Sequence, residues 1–170
     1  IEPWKRVPFL IKTVLKYREM HQDDIHLVIV GRNGWERSVC REVADSVRTH
    51  ECIHQLGYVS QVDLPAIYQQ ATLFSSASVW EGFGMIFLEA MAAGVPVVAA
   101  HQAAIPEVVS SAGLLFEPDI MDDYVEKIHA VLTNERLCMQ LVQIGRQRIS
   151  EHGWDRYAHA VKEVYEKVAS

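Results

Sequence analysis

Two glutamates, Glu81 and Glu89, flank a short segment in which glycines alternate with apolar residues. The residues that follow are rich in Leu, Ala and Met, which predicts a helix that starts near Gly84 and ends at Gly94. The first turn of a helix offers unpaired N–H groups and the positive end of its dipole. Gly82 and Gly84 allow a ligand to approach the backbone closely. The ligand that suits such a site is an anion, for example a diphosphate.

The carboxylates of Glu81 and Glu89 suggest sugars beside that anion. Ionised carboxylates accept hydrogen bonds, and the vicinal diol of a ribose or hexose offers donors at a matching separation. Each residue also has a simpler explanation, in which Glu81 caps the helix and Glu89 is a solvated side chain. The residues alone leave both interpretations open.

Composition restricts the classes of protein to consider. The chain has 170 residues, of which 49% are hydrophobic and 22% charged, which is typical of one globular domain. A formal net charge of -6 argues against a nucleic-acid partner. The sequence contains no apolar segment long enough to span a bilayer, although a peripheral membrane contact stays open. The scattered cysteines, Cys40, Cys52 and Cys138, favour a reducing compartment and argue against a disulfide scaffold or a zinc ribbon.

The elements that must position the glutamates alternate along the chain. Short apolar runs, separated mostly by helical patterns, predict strands at 25–30, 53–56, 73–76, 97–100 and 114–116. The first run, Ile25 to Val30, has the pattern of a strand buried on both faces of a parallel sheet. Amphipathic patterns predict helices at 7–20 and 36–48, and beyond Pro118 the chain is helical only, with the last helix at 154–168. The alternation predicts an α/β protein with a parallel sheet.

Motifs typical of other enzyme classes are either absent or lie in an element that does not suit their chemistry. His50 to His54 satisfies the HExxH pattern of zinc proteases, but the second histidine falls in a predicted strand. There, residues four apart are about 13 Å from each other, too far to share one zinc ion. The sequence has no P-loop, and Gly31 to Gly34 lacks the GxGxxG fingerprint of dinucleotide enzymes.

The segment EGFGMIFLEAMAAGVPVVAA, followed by IPEVV and GLLFEPD, resembles the C-terminal, donor-binding half of a retaining glycosyltransferase of family four. Further similarity lies in LVIVGRNGW, HQLGYVSQVDLPAIYQQATLF and the closing GWDRYAHAVKEVYEKV. The resemblance implies the C-terminal half of a GT-B fold, a Rossmann-like parallel sheet with helices on both faces. Residues 1–170 would form the nucleotide-sugar-binding domain. The N-terminal domain and the first strand would lie outside this sequence.

The resemblance also implies roles for individual residues. Glu81 would contact hydroxyls of the donor sugar, and Glu89 would hold the ribose hydroxyls. Lys5 would bind the diphosphate and act with Glu81 in catalysis, with Arg6 as a less favoured alternative and a partner Arg outside the sequence. Lys5 would otherwise be a solvated charge at a helix start. The loop that meets the sugar and diphosphate comprises Gly82, Phe83, Gly84 and Met85.

The nucleobase would be read by the loop Gly57-Tyr58-Val59, in which Gly57 and Val59 contribute largely through backbone groups. Arg32 follows a predicted strand, at the end where doubly wound sheets bind ligands, and is a candidate for the nucleotide cleft. The alternative for Arg32 is an exposed loop residue. The chain departs from the family at Ala103-Ala104, where members often carry Gly-Gly. Glu107 is expected either at the cleft or capping a short helix.

The function implied by the resemblance is transfer of a hexosyl group from a UDP- or GDP-linked sugar, with retention of anomeric configuration. No cofactor or metal is expected. The sugar is expected to be mannose or glucose, and the acceptor a glycan, lipid or small molecule. The expected location is cytoplasmic, with contact at the inner face of the membrane through the missing domain. The alternatives are a non-catalytic nucleotide-sugar-binding fragment and a nucleotide-sugar epimerase of the same architecture.

Overall fold

Strands and helices alternate through residue 116 in the computed structural model, which describes residues 1–169 without the side chain of Trp154. The strands are β1 (Leu27–Val30), β2 (Ile53–Gly57), β3 (Phe74–Ser76), β4 (Val97–Ala100) and β5 (Gly113–Phe116). The helices are α1 (Val7–His21), α2 (Arg37–Thr49), α3 (Leu64–Gln70), α4 (Met85–Ala92), α5 (Ile105–Val109), α6 (Met121–Thr133), α7 (Glu135–Glu151) and α8 (Trp154–Ala169). Short 3-10 helices cover Pro3–Lys5 and Ser110–Ala112. The predicted order of elements is confirmed.

All strand pairs are parallel, as predicted, but they form two separate sheets. β1 pairs with β2, and β4 lies between β3 and β5. Within residues 1–169, no strand pairing joins the two sheets. The start of the chain ties them together at their carboxyl ends. The Gly34 N–H, just after β1, donates to the Ile1 carbonyl at 3.0 Å, and the Val79 N–H, after β3, donates to the Trp4 carbonyl at 2.9 Å.

Helices cover both faces of the three-stranded sheet. The residues of β4 are at most 1% exposed, and their side chains alternate between two cores. Val98 and Ala100 pack in a core with residues of α1 and α6, which also includes Ile29 of β1 and Ile53 of β2. Val97 and Ala99 pack in a second core with residues of α4 and α5. This arrangement confirms the predicted Rossmann-like α/β architecture.

The first strand corrects one prediction. The run from Ile25 to Val30 was expected to be buried on both faces, but β1 is shorter and only one of its faces is buried. Ile29 is 7% exposed, whereas Val28 and Val30 are 47% and 38% exposed. Successive side chains of a strand point to opposite faces, so Leu27 and Ile29 face the core and the two valines face away. A continuous apolar run therefore did not indicate burial on both faces here.

Tyr124 connects several elements of the larger core. Its ring stacks on Phe116 of β5 with centroids 3.7 Å apart and on Phe9 of α1 at 6.1 Å. Its hydroxyl lies 2.5 Å from the Ser75 hydroxyl of β3. Burial raises the pKa of the Tyr124 hydroxyl above its usual value. Tyr124 thereby links α1 and α6 to the three-stranded sheet.

The last helix, α8, is largely exposed. Tyr165 and Val168 of α8 are 70% and 81% exposed. No helix among the described residues combines the length and apolar composition needed to cross a bilayer.

Candidate functional site

The loop between β3 and α4 gives the predicted anion site its shape. Gly84 has a φ of 95°, in the left-handed region that favours glycine, and it precedes the first residue of α4, Met85. A Cβ added to Gly84 would lie 2.7 Å from Cδ2 of Phe87, which is fully buried. Among the side chains that the structure describes, none caps this helix start. The N–H groups of the first turn, at Met85 and Ile86, are therefore left for a ligand or for water.

Glu81 is paired with Lys5 across this loop. The Lys5 Nζ donates to Glu81 Oε1 at 2.6 Å, and the two side chains are 35% and 11% exposed. The simpler explanations for both residues are wrong: Glu81 does not cap α4, and Lys5 is not merely a solvated charge. Lys5 ends the first 3-10 helix, where the Arg6 N–H donates to the Pro3 carbonyl at 3.1 Å. The fold thus brings together a lysine and a glutamate 76 positions apart.

Glu89 lies in the fifth position of α4 and is half-buried. Its Oε2 accepts a hydrogen bond of 3.1 Å from the Tyr68 hydroxyl of α3. Burial, and next the negative charge of Glu89, raise the pKa of Tyr68 well above its usual value. Glu89 is therefore not a purely solvated side chain, because one of its oxygens has a protein partner. Glu81 lies in the loop before α4 and Glu89 lies within α4, and the two carboxylates have different partners.

The predicted nucleobase residues lie at the carboxyl ends of β1 and β2. Gly57 ends β2 with a φ of 71°, and its carbonyl accepts from the Gly31 N–H at 2.8 Å. The Arg32 guanidinium lies over the ring of Tyr58, 4.3 Å from the centroid. Arg32 is exposed but has an aromatic partner, and Val59 is half-buried beside them in the chain. Parallel α/β sheets bind ligands at this end of their strands.

Three further candidate residues from the sequence, Arg6, Ala103 and Glu107, have contacts or backbone conformations that do not involve the Lys5–Glu81 pair. Arg6 forms an ion pair with Asp119 and lies over the Phe9 ring at 4.4 Å, so it is not part of the Lys5–Glu81 pair. Ala103, at the departure from the family pattern, has a φ of 51°, which is the conformation that a glycine would adopt readily. Glu107 lies in the first turn of α5, and no described side chain forms a capping hydrogen bond at the start of that helix.

The HExxH pattern is divided between two elements. His50 follows α2, whereas His54 lies within β2. The Nε2 of His54 is 2.8 Å from Nδ1 of His26, so its neighbour is a different histidine. Within the described part of the chain, no group of three or more His, Cys, Asp or Glu side chains is placed to hold a metal ion.

Tyr68 was not among the predicted site residues. It is a residue of a short helix, and no local spacing rule connects position 68 to position 89. The sequence signal that marks this region, HQLGYVSQVDLPAIYQQATLF, contains Tyr68 but does not distinguish it from the packing residues around it. The structure identifies it only through its contact with Glu89.

Comparison with known proteins places the chain in a family. The family model described as glycosyl transferases group 1 matches residues 1–148. The chain belongs to this family of glycosyltransferases, which confirms the resemblance drawn from the EGFG segment.

Several curated proteins are similar to the chain. It is 42% identical over 96 residues to the O-antigen chain mannosyltransferase B of Escherichia coli, across 56% of this chain and 25% of that protein. It is 30% identical over 172 residues to the phosphatidyl-myo-inositol mannosyltransferase of Mycobacterium leprae, across 99% of this chain and 45% of that protein. The chain therefore spans less than half the length of either relative.

Solved structures share the fold. A sucrose-phosphate synthase from Thermosynechococcus elongatus superposes with a TM-score of 0.82 at 23% identity, across 99% of this chain and 44% of that one. The Anabaena protein HepE, in complex with UDP and glucose, gives a TM-score of 0.75 at 19% identity, across 99% of this chain and 46% of that one. At these identities the likeness concerns the fold alone, and it agrees with one half of a GT-B fold.

Proposed function

We propose that residues 1–170 form the donor-binding part of a glycosyltransferase that moves a hexosyl group from a UDP- or GDP-linked sugar to an acceptor, with retention of configuration. The observation that carries the proposal is the Lys5–Glu81 pair, 2.6 Å long, beside the uncapped start of α4. A cation and a helix start suit a diphosphate, and carboxylates suit the hydroxyls of sugars. Membership of the glycosyl transferases group 1 family supports the same assignment.

The chemistry of the proposed step needs stabilisation of negative charge. As the bond between the sugar and the diphosphate breaks, charge develops on the diphosphate oxygens. Lys5 and the first-turn N–H groups of α4 supply positive charge at fixed positions, so they stabilise the leaving group without a metal ion. Glu81 accepts hydrogen bonds from sugar hydroxyls, and when the donor binds, the diphosphate competes with Glu81 for Lys5.

We propose that the donor nucleotide extends from α4 to the ends of β1 and β2. Residues Ile1–Lys5 connect these regions, since Ile1 bonds to the loop after β1 and Lys5 to Glu81. Five residues span at most roughly 18 Å when fully extended, so the backbones of Ile1 and Lys5 lie no farther apart than that. Glu89 would hold the ribose, and Arg32 with the loop Gly57–Val59 would contact the nucleobase.

The acceptor site and the remaining catalytic groups are proposed to lie in a domain outside residues 1–170. The split between β1–β2 and β3–β5 supports a further strand between them, because no strand pairing joins the two sheets within residues 1–169, whereas residues 1–4 bond to the loops after both β1 and β3. The relatives' names include an O-antigen chain and a phosphatidylinositol, which makes a glycan or a lipid the acceptor to test first. A lipid acceptor would place the enzyme at the inner face of the membrane.

Calorimetry on residues 1–170 with UDP, GDP and ADP tests the donor site. At least one nucleotide should bind, and Lys5→Ala should weaken binding by about 10- to 100-fold because a charge-assisted hydrogen bond is lost. Lys12→Ala is the matched control, since Lys12 is 63% exposed and pairs with Glu42 on α2. Absence of binding by all three nucleotides in a folded sample would contradict the donor-site assignment.

Activity is tested in a protein that joins residues 1–170 to the proposed acceptor-binding domain. A panel of UDP- and GDP-linked mannose and glucose should identify a donor, and NMR of the product should give the anomeric configuration. Glu81→Ala should abolish transfer. Unimpaired transfer by that variant would contradict the role of Glu81, and a product of inverted configuration would contradict retention.

A further inference from the structure

The Glu89 carboxylate is held from one side by a neighbouring helix. The Tyr68 hydroxyl of α3 donates to Glu89 Oε2 at 3.1 Å and lies 3.5 Å from the Ile86 carbonyl. A hydroxyl has one proton, and the shorter contact is to a charged acceptor, so the carboxylate is the better partner. This contact uses one of the two carboxylate oxygens and leaves Oε1 with no protein hydrogen bond among those seen in residues 1–169.

The ring of Tyr68 has a fixed position because it packs on the core. It lies against Phe74 of β3, with centroids 5.6 Å apart and an interplanar angle of 54°. Phe74 in turn meets Phe87 of α4 edge-on at 6.0 Å, and Phe87 is fully buried. A tyrosine ring has few rotatable bonds, so fixing the ring also fixes the direction in which its hydroxyl points.

Tyr68 stays a hydrogen-bond donor over the physiological pH range. Burial and the adjacent charge of Glu89 both raise the pKa of its hydroxyl, since each disfavours the phenolate. The proton therefore remains on the Tyr68 hydroxyl, which donates a hydrogen bond to Glu89 Oε2.

We propose that Tyr68 is a positioning residue, which orients the Glu89 carboxylate so that its second oxygen faces the vicinal hydroxyls of the donor ribose. This inference rests on the proposed function, because it assigns a role within the same donor site. The orienting bond lowers the entropic cost of binding, since one carboxylate conformation is already selected before the ribose arrives. It also favours ribonucleotides, because an oriented acceptor is left without a partner when the sugar lacks its hydroxyls.

The test compares ribonucleotides with nucleotides that lack the ribose hydroxyls. Calorimetry measures the affinities of the whole chain for UDP, GDP and their 2′,3′-dideoxy counterparts. The same affinities are measured for Tyr68→Phe, for Glu89→Ala and for the double variant. The phenylalanine keeps the ring and its packing, and circular dichroism checks the fold. Tyr165→Phe on α8 is the matched control, because Tyr165 is 70% exposed.

Tyr68→Phe should weaken binding of the ribonucleotide by about three- to tenfold, as expected for loss of one hydrogen bond. Affinity for the dideoxy counterpart should stay unchanged, and so should both affinities of Tyr165→Phe. In the Glu89→Ala background, Tyr68→Phe should have no further effect, because the residue that it orients is gone.

Three results would overturn the inference. An equal loss for the ribonucleotide and the dideoxynucleotide would assign Tyr68 a structural role only. Unchanged ribonucleotide affinity in Tyr68→Phe, together with a loss in Glu89→Ala, would refute the positioning role while the donor site stands. Failure of the unmodified chain to bind either UDP or GDP would refute both the inference and a UDP- or GDP-linked donor.

Discussion

Glycine-to-alanine substitutions at Gly82, Gly84 and Gly57 separate two costs of adding a methyl group. Gly82 is outside the left-handed region, and an added Cβ would meet no atom of the described residues within 4 Å. Gly57 has a φ of 71° but also has open space around it. Gly84 combines a φ of 95° with a contact of 2.7 Å to the buried Phe87 ring. Gly82 thus has neither cost. Gly57 has the conformational cost alone, and Gly84 has both the conformational and the steric cost.

The expected free energies of unfolding follow from these differences. Gly82→Ala should be neutral or should stabilise the chain by about 0.4–1 kcal/mol, because alanine restricts the unfolded state. Gly57→Ala should lose about 1–2 kcal/mol for a Cβ in the left-handed region. Gly84→Ala should lose about 2–5 kcal/mol, because overpacking against Phe87 adds about 1–3 kcal/mol to that cost. The last value is a large part of the stability of an ordinary domain.

Urea-induced unfolding, followed by circular dichroism and tryptophan fluorescence, measures the three variants against the unmodified chain. The expected order of stability is Gly82→Ala, then Gly57→Ala, then Gly84→Ala. Equal stability of Gly84→Ala and Gly57→Ala would mean that the Phe87 ring moves at little cost. Equal stability of Gly84→Ala and Gly82→Ala would refute the reasoning about the left-handed backbone of Gly84 and its contact with Phe87.

Two other properties of the fold can be tested by the same unfolding measurements. Above about pH 10, the unfolded chain loses tyrosine protons that buried Tyr124 retains, so stability should fall as pH rises through this range. Tyr124→Phe should reduce that slope, and an unchanged slope would contradict the assignment. An added Cβ at Gly145 of α7 would lie 3.1 Å from Cγ of Met91 on α4, so Gly145→Val should cost about 1–3 kcal/mol. Gln143→Val, at an exposed position of α7, should change stability much less, and equal losses would show that the close contact of the helices is unimportant.

The sequence predicted the elements well because their signals are local. The strand at 97–100 has the same bounds in the structure as in the prediction, since an apolar run follows Pro96 and is fully buried. The exposure of Val28 and Val30 could not be predicted in the same way. An apolar run indicates that a strand is favourable, but which of its faces is covered depends on elements distant in the chain.

The contacts of the candidate site residues could not be predicted from local sequence patterns. The EGFG segment predicts that Glu81 and Glu89 belong to one site, and the family resemblance adds Lys5 to that prediction. The contact between Lys5 and Glu81 joins positions 76 apart, and the contact between Tyr68 and Glu89 joins two helices. Hydrophobic periodicity and capping rules describe neighbours along one element, so neither contact follows from them.

The separation of β1–β2 from β3–β5 has a consequence for the chain in solution. Within the described residues, each of β1 and β3 pairs on one side only, so the backbone N–H and C=O groups of its other edge have no strand partner. Such edges are templates for pairing with another polypeptide, and the exposed side chains of Val28 and Val30 add an apolar surface beside one of them. The backbone groups that would pair with the proposed further strand are thus also the groups through which two copies of the chain would pair with each other. Residues 1–170 produced by themselves are best studied at low protein concentration.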